Sequence, residues 1–451
     1  MPAKITLRYW AATILAAASC LAGSDASLVD AVKRRDHKAV TSLMDQHADV
    51  NAPQPDGATA LAWAAYLDDN ETAGLLLASG AKVNTADEYG ETPLTLASAN
   101  GNATLVEKLL SSGADANAAR WNGETALMIA AEAGSVEAVK LLIAHGANIK
   151  AAESQKGQNA LMWAAAEGHS GVVEALIKLG ADVNSASKSG FTPLVFATVK
   201  NDPSSAQLLL KAGADPNFSL SDGAKVLVVA ASYKSAEVAR VLIDAGADPN
   251  VGDRAGNTPL HLASQAGDLD LVKKLLSKGA DPNAKTAKIG VRRGAPGGFR
   301  VVIGEQTPLM LAARANQVEV MKALIDAGAD TKLKAEDGST LLMAAVGSAR
   351  IAAVKYVFEF DSDVKAVTSS GATLMHAAVT GTAQGATQEA QDRVVEVIRF
   401  LAEKGAPLDE KNAQGRTPID IADVLPIDKA VDLLTELILE SGTKPKSPSK
   451  R

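Results

Sequence analysis

Five cations with no acid among them occupy one short stretch of the chain: Lys285, Lys288, Arg292, Arg293 and Arg300, ahead of Glu305. The full chain has 451 residues and a formal net charge of -7, so this run is a local anion-attracting feature on an acidic protein. Ile289 and Val291 alternate with Gly290 and Arg292, and Phe299, Val301 and Ile303 alternate on the far side of Gly294–Gly298. That pattern predicts strand, turn and strand, and hence a hairpin over 285–305. The glycines do not complete a phosphate loop, because no Gly-Lys-Ser/Thr closes the segment. Two readings stand for the hairpin. It pairs with its own acidic neighbours, or it meets a partner through Arg292, Arg293, Phe299 and Arg300.

The remaining reactive side chains offer less. His37, His47, His145, His169, His261 and His376 are not grouped at metal-ligand spacing, Cys20 is the only cysteine, and no Ser, His and acid set stands out. The chain is therefore expected to be no enzyme and to use no cofactor. Tyr89, Trp121 and Phe218 fall in turns flanked by Gly90, Gly123 and Asn217. Large aromatics projecting from turns are costly unless something covers them, and such residues are enriched at binding hot spots. Packing within the chain and contact with a partner are both open for these three. Trp63 and Trp163 take an apolar helix position and are read as packing residues.

The elements that carry these residues repeat. Gly256–Asn283 is the clearest unit: Thr258 can cap a helix with its hydroxyl, and Pro259 takes the first helical position, where its missing N–H removes no bond. Leu260, Leu262 and Ala263 load one face of this helix. Gly267 and Asp268 turn the chain into a second helix bearing Leu271, Val272, Leu275 and Leu276, and Gly279 ends it. Two short helices cannot bury themselves alone, so units must stack. The residue at the Thr258 place recurs as Thr59, Thr92, Thr125, Asn159, Thr192, Lys225, Thr258, Thr307, Thr340, Thr373 and Thr417. The steps between them are 33, 33, 34, 33, 33, 33, 49, 33, 33 and 44 residues.

The period and the Thr258-Pro259-Leu260-His261 step resemble the ankyrin repeat. Thr92-Pro93-Leu94, Thr192-Pro193-Leu194, Thr307-Pro308-Leu309 and Thr417-Pro418-Ile419 carry the same helix start. Gly-Ala-Asp or a close variant follows the second helix at Gly80, Gly113, Gly146, Gly180, Gly213, Gly246, Gly279 and Gly328. The resemblance implies an all-α repeat solenoid of stacked ankyrin helix-turn-helix units with projecting β-turn or hairpin loops. About twelve units are expected, caps included, in one long curved domain over 27–440. Departures stand at Asn159, at Lys225, and at Phe360-Asp361-Ser362-Asp363, which replaces the Gly-Ala-Asp turn. The 49-residue step contains the hairpin insertion. The 44-residue step places a second insertion, 382–393, between the two helices of its unit.

Lys4 and Arg8 precede an apolar run from Tyr9 to Leu21 and then small residues, which reads as an export signal over 1–26. Cys20 sits where a lipoprotein signal would place its lipid anchor, and cleavage near Ala22–Ala26 is the other reading. Residues 441–451 combine Pro445, Pro448, Lys and Ser without apolar side chains, so a disordered basic tail is expected. The acidic balance argues against general nucleic-acid binding. What the ankyrin resemblance and the signal together imply is a protein-binding scaffold outside the cytoplasm, periplasmic or extracellular, and monomeric. Its partner is another protein, expected to present an acidic surface to the hairpin. The alternative is binding of anionic envelope polymer or lipid by the same basic residues.

Overall fold

A computed structural model describes residues 27–288, 303–381 and 387–442. Among them are 24 helices and no strand; the nearest approach to a sheet is a pair of isolated bridges, Ala119 with Thr125 and Ser219 with Lys225. The helices come in twelve consecutive pairs, as a stacked all-α repeat requires. They fall into two compact units, divided between Ser154 and Gln155.

In the first unit the leading helices of the pairs are Leu28–Lys33, Ala60–Tyr66, Pro93–Ala99 and Ala126–Glu132. The following ones are His37–Asp45, Asn70–Ala78, Ala103–Ser111 and Val136–Ala144. The second unit continues the same alternation from Ala160–Glu167 to Asp428–Glu440. Leading helices are short and rich in Ala and Leu, and Leu61, Leu94, Leu127 and Met128 are fully buried within the first unit. Their small neighbours let adjacent helices approach closely, so burial of aliphatic side chains supplies the driving force at about 25 cal/mol per Å².

Eight of the nine recurring threonines cap their helices as the sequence predicts, and Thr192 alone among them makes no side-chain cap bond. The Thr258 hydroxyl accepts the His261 N–H, and Pro259 opens the helix. Asn159 keeps the cap by accepting from Met162 N at 3.0 Å, whereas Lys225 makes no such bond and sends its Nζ to the Asn217 carbonyl at 2.8 Å. At the other end Gly279 has φ +87°, the left-handed region that a residue without Cβ enters freely. Where an Asn stands four residues after such a glycine, as at Asn84, Asn117, Asn184, Asn217, Asn250 and Asn283, its amide ties one pair to the next. Asn250, for example, donates to the Gly279 carbonyl at 2.9 Å and accepts from Asp281 N at 2.8 Å.

At Phe360 a different turn is built. The Lys332 Nζ donates to the Phe360 carbonyl at 2.7 Å, standing in for the Asn amide, and the buried Asp361 carboxylate accepts from Leu342 N at 3.0 Å. Tyr356 meets the Phe360 ring edge to face at 5.3 Å. The second insertion, 382–393, runs into the helix Gln388–Glu403, which has 16 residues where Leu269–Ser277 has nine. Its first turns are residues 388–393.

Candidate functional site

The turn tips between helix pairs form a ladder, and its geometry decides which side chains project. In the tip around Tyr89, Asp87 N donates to the Glu91 carbonyl at 3.1 Å and Gly90 N to the Asp87 carbonyl at 3.0 Å. The Asp87 carboxylate accepts from both Tyr89 N and Glu91 N. The next tip repeats this with Arg120 N to Glu124 O at 2.9 Å and Gly123 N to Arg120 O at 2.9 Å. Neighbouring tips are then joined by one backbone bond each: Glu88 N to Asp56 O, Trp121 N to Tyr89 O at 3.1 Å, and Ser154 N to Asn122 O. Gly90 is obligatory in this ladder. Its φ is +79°, and a Cβ there would lie 3.1 Å from Ala119 O, Arg120 Cα and Trp121 N.

Tyr89 and Trp121 therefore sit on adjacent tips, held through the backbone, with 53% and 71% of their surfaces exposed. Trp121 has no ring or cation partner among the described residues. Trp63 differs: it is buried, donates to Gln54, and has Lys33 Nζ 4.3 Å above its ring. Directly behind the tips lies a charge cluster that sequence reasoning did not find. Arg120 Nε is 2.8 Å from Glu91 Oε1 and its Nη1 donates to Glu124 Oε2 at 2.8 Å. Thr95 Oγ1 donates to Glu91 Oε2 at 2.8 Å. Burial raises the Glu91 carboxyl above the usual carboxylate range, with Arg120 acting against it. Burial also raises Asp87, and the charges of Asp56 and Glu88 add to this while backbone N–H groups oppose it. The Tyr89 phenol is held up chiefly by its hydrogen bond to Glu88.

Phe218 does not join them: it lies half-buried in the second unit, its N–H on the Asp215 carbonyl at 3.2 Å. Tyr233, which the sequence did not single out, is 61% exposed in that unit. Arg292, Arg293, Phe299 and Arg300 lie outside the described residues, as does the interior of the expected hairpin. The base of the insertion is visible. Thr286 N donates to the Gln306 carbonyl at 3.0 Å, Gln306 N donates to Thr286 Oγ1 at 3.0 Å, and Lys288 Nζ is 3.5 Å from Glu305 Oε1. One cation of the basic run thus pairs locally.

The histidines of two helix starts serve the framework. His261 is fully buried; its Nδ1 lies 3.1 Å from Thr258 N and its Nε2 3.0 Å from the Gln306 carbonyl. His376 repeats this with Thr373 N and the Arg416 carbonyl, at 3.1 and 3.0 Å. Burial lowers the pKa of both, with the backbone bonds opposing. Among the described residues no group of three or more His, Cys, Asp or Glu could hold a metal ion, and no helix is long and apolar enough to cross a membrane.

Comparison with known families places these features. The profile described as "Ankyrin repeats (3 copies)" matches over 28–120, 96–187, 153–220, 194–286 and 309–388. A search of curated proteins finds no match to the chain. Ankyrin repeats generally mediate protein–protein interaction and are typically non-enzymatic scaffolds. The profile covers most of the sequence, including most of the helix pairs described above: the chain belongs to the ankyrin-repeat family.

Proposed function

We propose that this chain is a protein-docking scaffold acting outside the cytoplasm, and that Tyr89 and Trp121 are the centre of a docking surface. The observation that carries the reading is the pairing of two large exposed rings on adjacent tips whose backbones are locked by the Trp121 N to Tyr89 O bond. A tip whose backbone is fixed before binding loses little backbone freedom on association, and large exposed aromatic rings are the side chains enriched at interface hot spots. The basic insertion is a second contact region, suited to an acidic surface of a protein partner. Export is supported by Lys4 and Arg8 ahead of the apolar run to Leu21.

Capture of partners from an envelope fraction tests this reading. Wild-type protein, Tyr89→Ala with Trp121→Ala, and a chain lacking 288–303 are compared side by side. The scaffold reading expects the double substitution to remove at least one specifically bound protein. Identical capture by all three proteins would sink it. Mass spectrometry of the protein purified from its native cell tests export: a mature N-terminus between Cys20 and Ser27 is expected, and an intact Met1 terminus overturns it.

A further inference from the structure

The tips of the first unit differ in charge from the basic insertion. Segments 53–58, 86–91 and 119–124 contain Asp56, Asp87, Glu88, Glu91 and Glu124 against a single cation, Arg120; the following tip adds Glu153, which is buried, and Lys156. That cation is engaged between Glu91 and Glu124, with only 11% of its side chain exposed. What remains at the surface is negative. Glu88 is exposed next to Tyr89 in the chain, and Asp56 and Asp87 are half-buried, their charges acting on the same tip. Next to these carboxylates the Trp121 indole is the most exposed large ring described.

Resting on the scaffold reading above, we infer that the Tyr89–Trp121 tips dock an arginine-bearing basic segment of a partner protein. An indole face attracts a cation through its quadrupole, most strongly where water is displaced. A guanidinium suits this site better than an ammonium, because its plane stacks on the ring while its N–H fork reaches a carboxylate such as Glu88. An acidic partner would meet Asp56, Asp87 and Glu88, which flank Tyr89, as like charges. The acidic surface expected for the insertion therefore belongs to a different contact region from this one.

Isothermal titration of the full chain with short synthetic peptides tests the assignment. One peptide carries arginines spaced by Gly and Ser, one has citrulline at the same places, and one has Glu. The arginine peptide is expected to bind, more weakly as salt is raised, and the other two to show no binding at the same concentrations. Its affinity should fall roughly tenfold or more with Trp121→Ala and with Glu88→Lys, and stay the same with Tyr233→Ala. Equal affinity for the Glu peptide overturns the inference, as does arginine-peptide binding indifferent to both Trp121→Ala and Glu88→Lys. No peptide binding alongside Trp121-dependent capture of a native protein overturns the basic-segment assignment alone. Capture indifferent to every variant overturns the scaffold reading with it.

Discussion

Thr286 and Gln306 close the same two hydrogen bonds that Asp253 and Asn257 close in an ordinary tip, although 20 residues rather than four separate them. Thr286 N donates to the Gln306 carbonyl as Asp253 N does to that of Asn257, and each first residue's side-chain oxygen accepts the last residue's N–H. The ladder also continues through both ends: Ala287 N donates to the Ala255 carbonyl, and the Gly304 carbonyl accepts from Glu336 N. In an uninterrupted tip the donor and the next acceptor are consecutive, as Trp121 and Asn122 are. The rungs on either side of residues 288–303 thus keep the bonds of an uninterrupted tip.

Deleting 288–303, which joins Ala287 to Gly304, should therefore leave the fold intact. Shortening the closed loop from 20 to four residues lowers its closure entropy by about 1.4 kcal/mol. Urea unfolding should show the deleted protein at least as stable as the parent. A marked loss of stability would mean that the insertion packs on the framework and is no independent appendage.

How much of this was legible in the sequence follows from how local each feature is. Thr258, Pro259 and Gly279 declare a helix start and stop because the physics acts within one turn of chain, and all three behave accordingly. Tyr89 and Trp121 were placed on tips by the same spacing, and the structure adds their adjacency through a bond between residues 32 apart. The Glu91–Arg120–Glu124 cluster was invisible, since Glu91 and Arg120 come from different repeats and neither breaks the pattern of its own. Phe218 was grouped with the tips for following Asn217, but it stands one residue before the bridge of Ser219 with Lys225, where the chain is still within the stack. The turn at Phe360 looked merely deficient in glycine. Its replacement partners are Lys332, from the turn after the preceding pair, and Leu342, from the leading helix of the same pair 19 residues away, so neither follows from a local rule.

Arg120 should prove far more important to stability than its place beside an exposed tip suggests. Replacing it with Met leaves Glu91 buried with its negative charge unmatched, a loss of about 3 kcal/mol or more. Adding Glu91→Gln to Arg120→Met should recover much of this, because the more buried of the two orphaned carboxylates is then neutral and only Glu124 is left unpaired by Arg120. Urea midpoints of the parent, the single and the double variants check both statements. Equal stability of parent and Arg120→Met would mean the cluster is wetter than its burial indicates.

His261 and His376 make the second unit sensitive to acid. Burial sets their folded pKa values below the unfolded value of about 6.5, so between the two the unfolded chain binds protons that the folded chain refuses. Their stabilising effect is complete above about pH 6.5 and is lost as pH falls through the lowered values, by up to about 1.4 kcal/mol per pH unit for each histidine. Thermal unfolding between pH 7 and pH 5 should shift less in a protein with both His261→Gln and His376→Gln. An unchanged pH slope in that variant would assign the acid sensitivity to other groups.

Two glycines with similar backbone angles should respond very differently to alanine. Gly279 has φ +87° with nothing within 4 Å of where a Cβ would stand, so Gly279→Ala carries only the left-handed conformation, about 1–2 kcal/mol. Gly256 has φ +74°, but its Cβ would run into Ala287 N and come within 3.0 Å of Thr286 C. The methyl group therefore displaces the rung from Ala287 N to the Ala255 carbonyl, 2.8 Å in the intact chain, and pushes on the Thr286 end of the neck. With a lost backbone bond added to the conformational cost, Gly256→Ala should destabilise by about 3 kcal/mol. Urea unfolding gives the totals, and hydrogen exchange locates the damage: faster exchange at Ala287 and Thr286 in Gly256→Ala, with both amides unaffected in Gly279→Ala. Similar losses in the two variants would show that backbone angle alone sets the cost, and that the tip yields to the added methyl group.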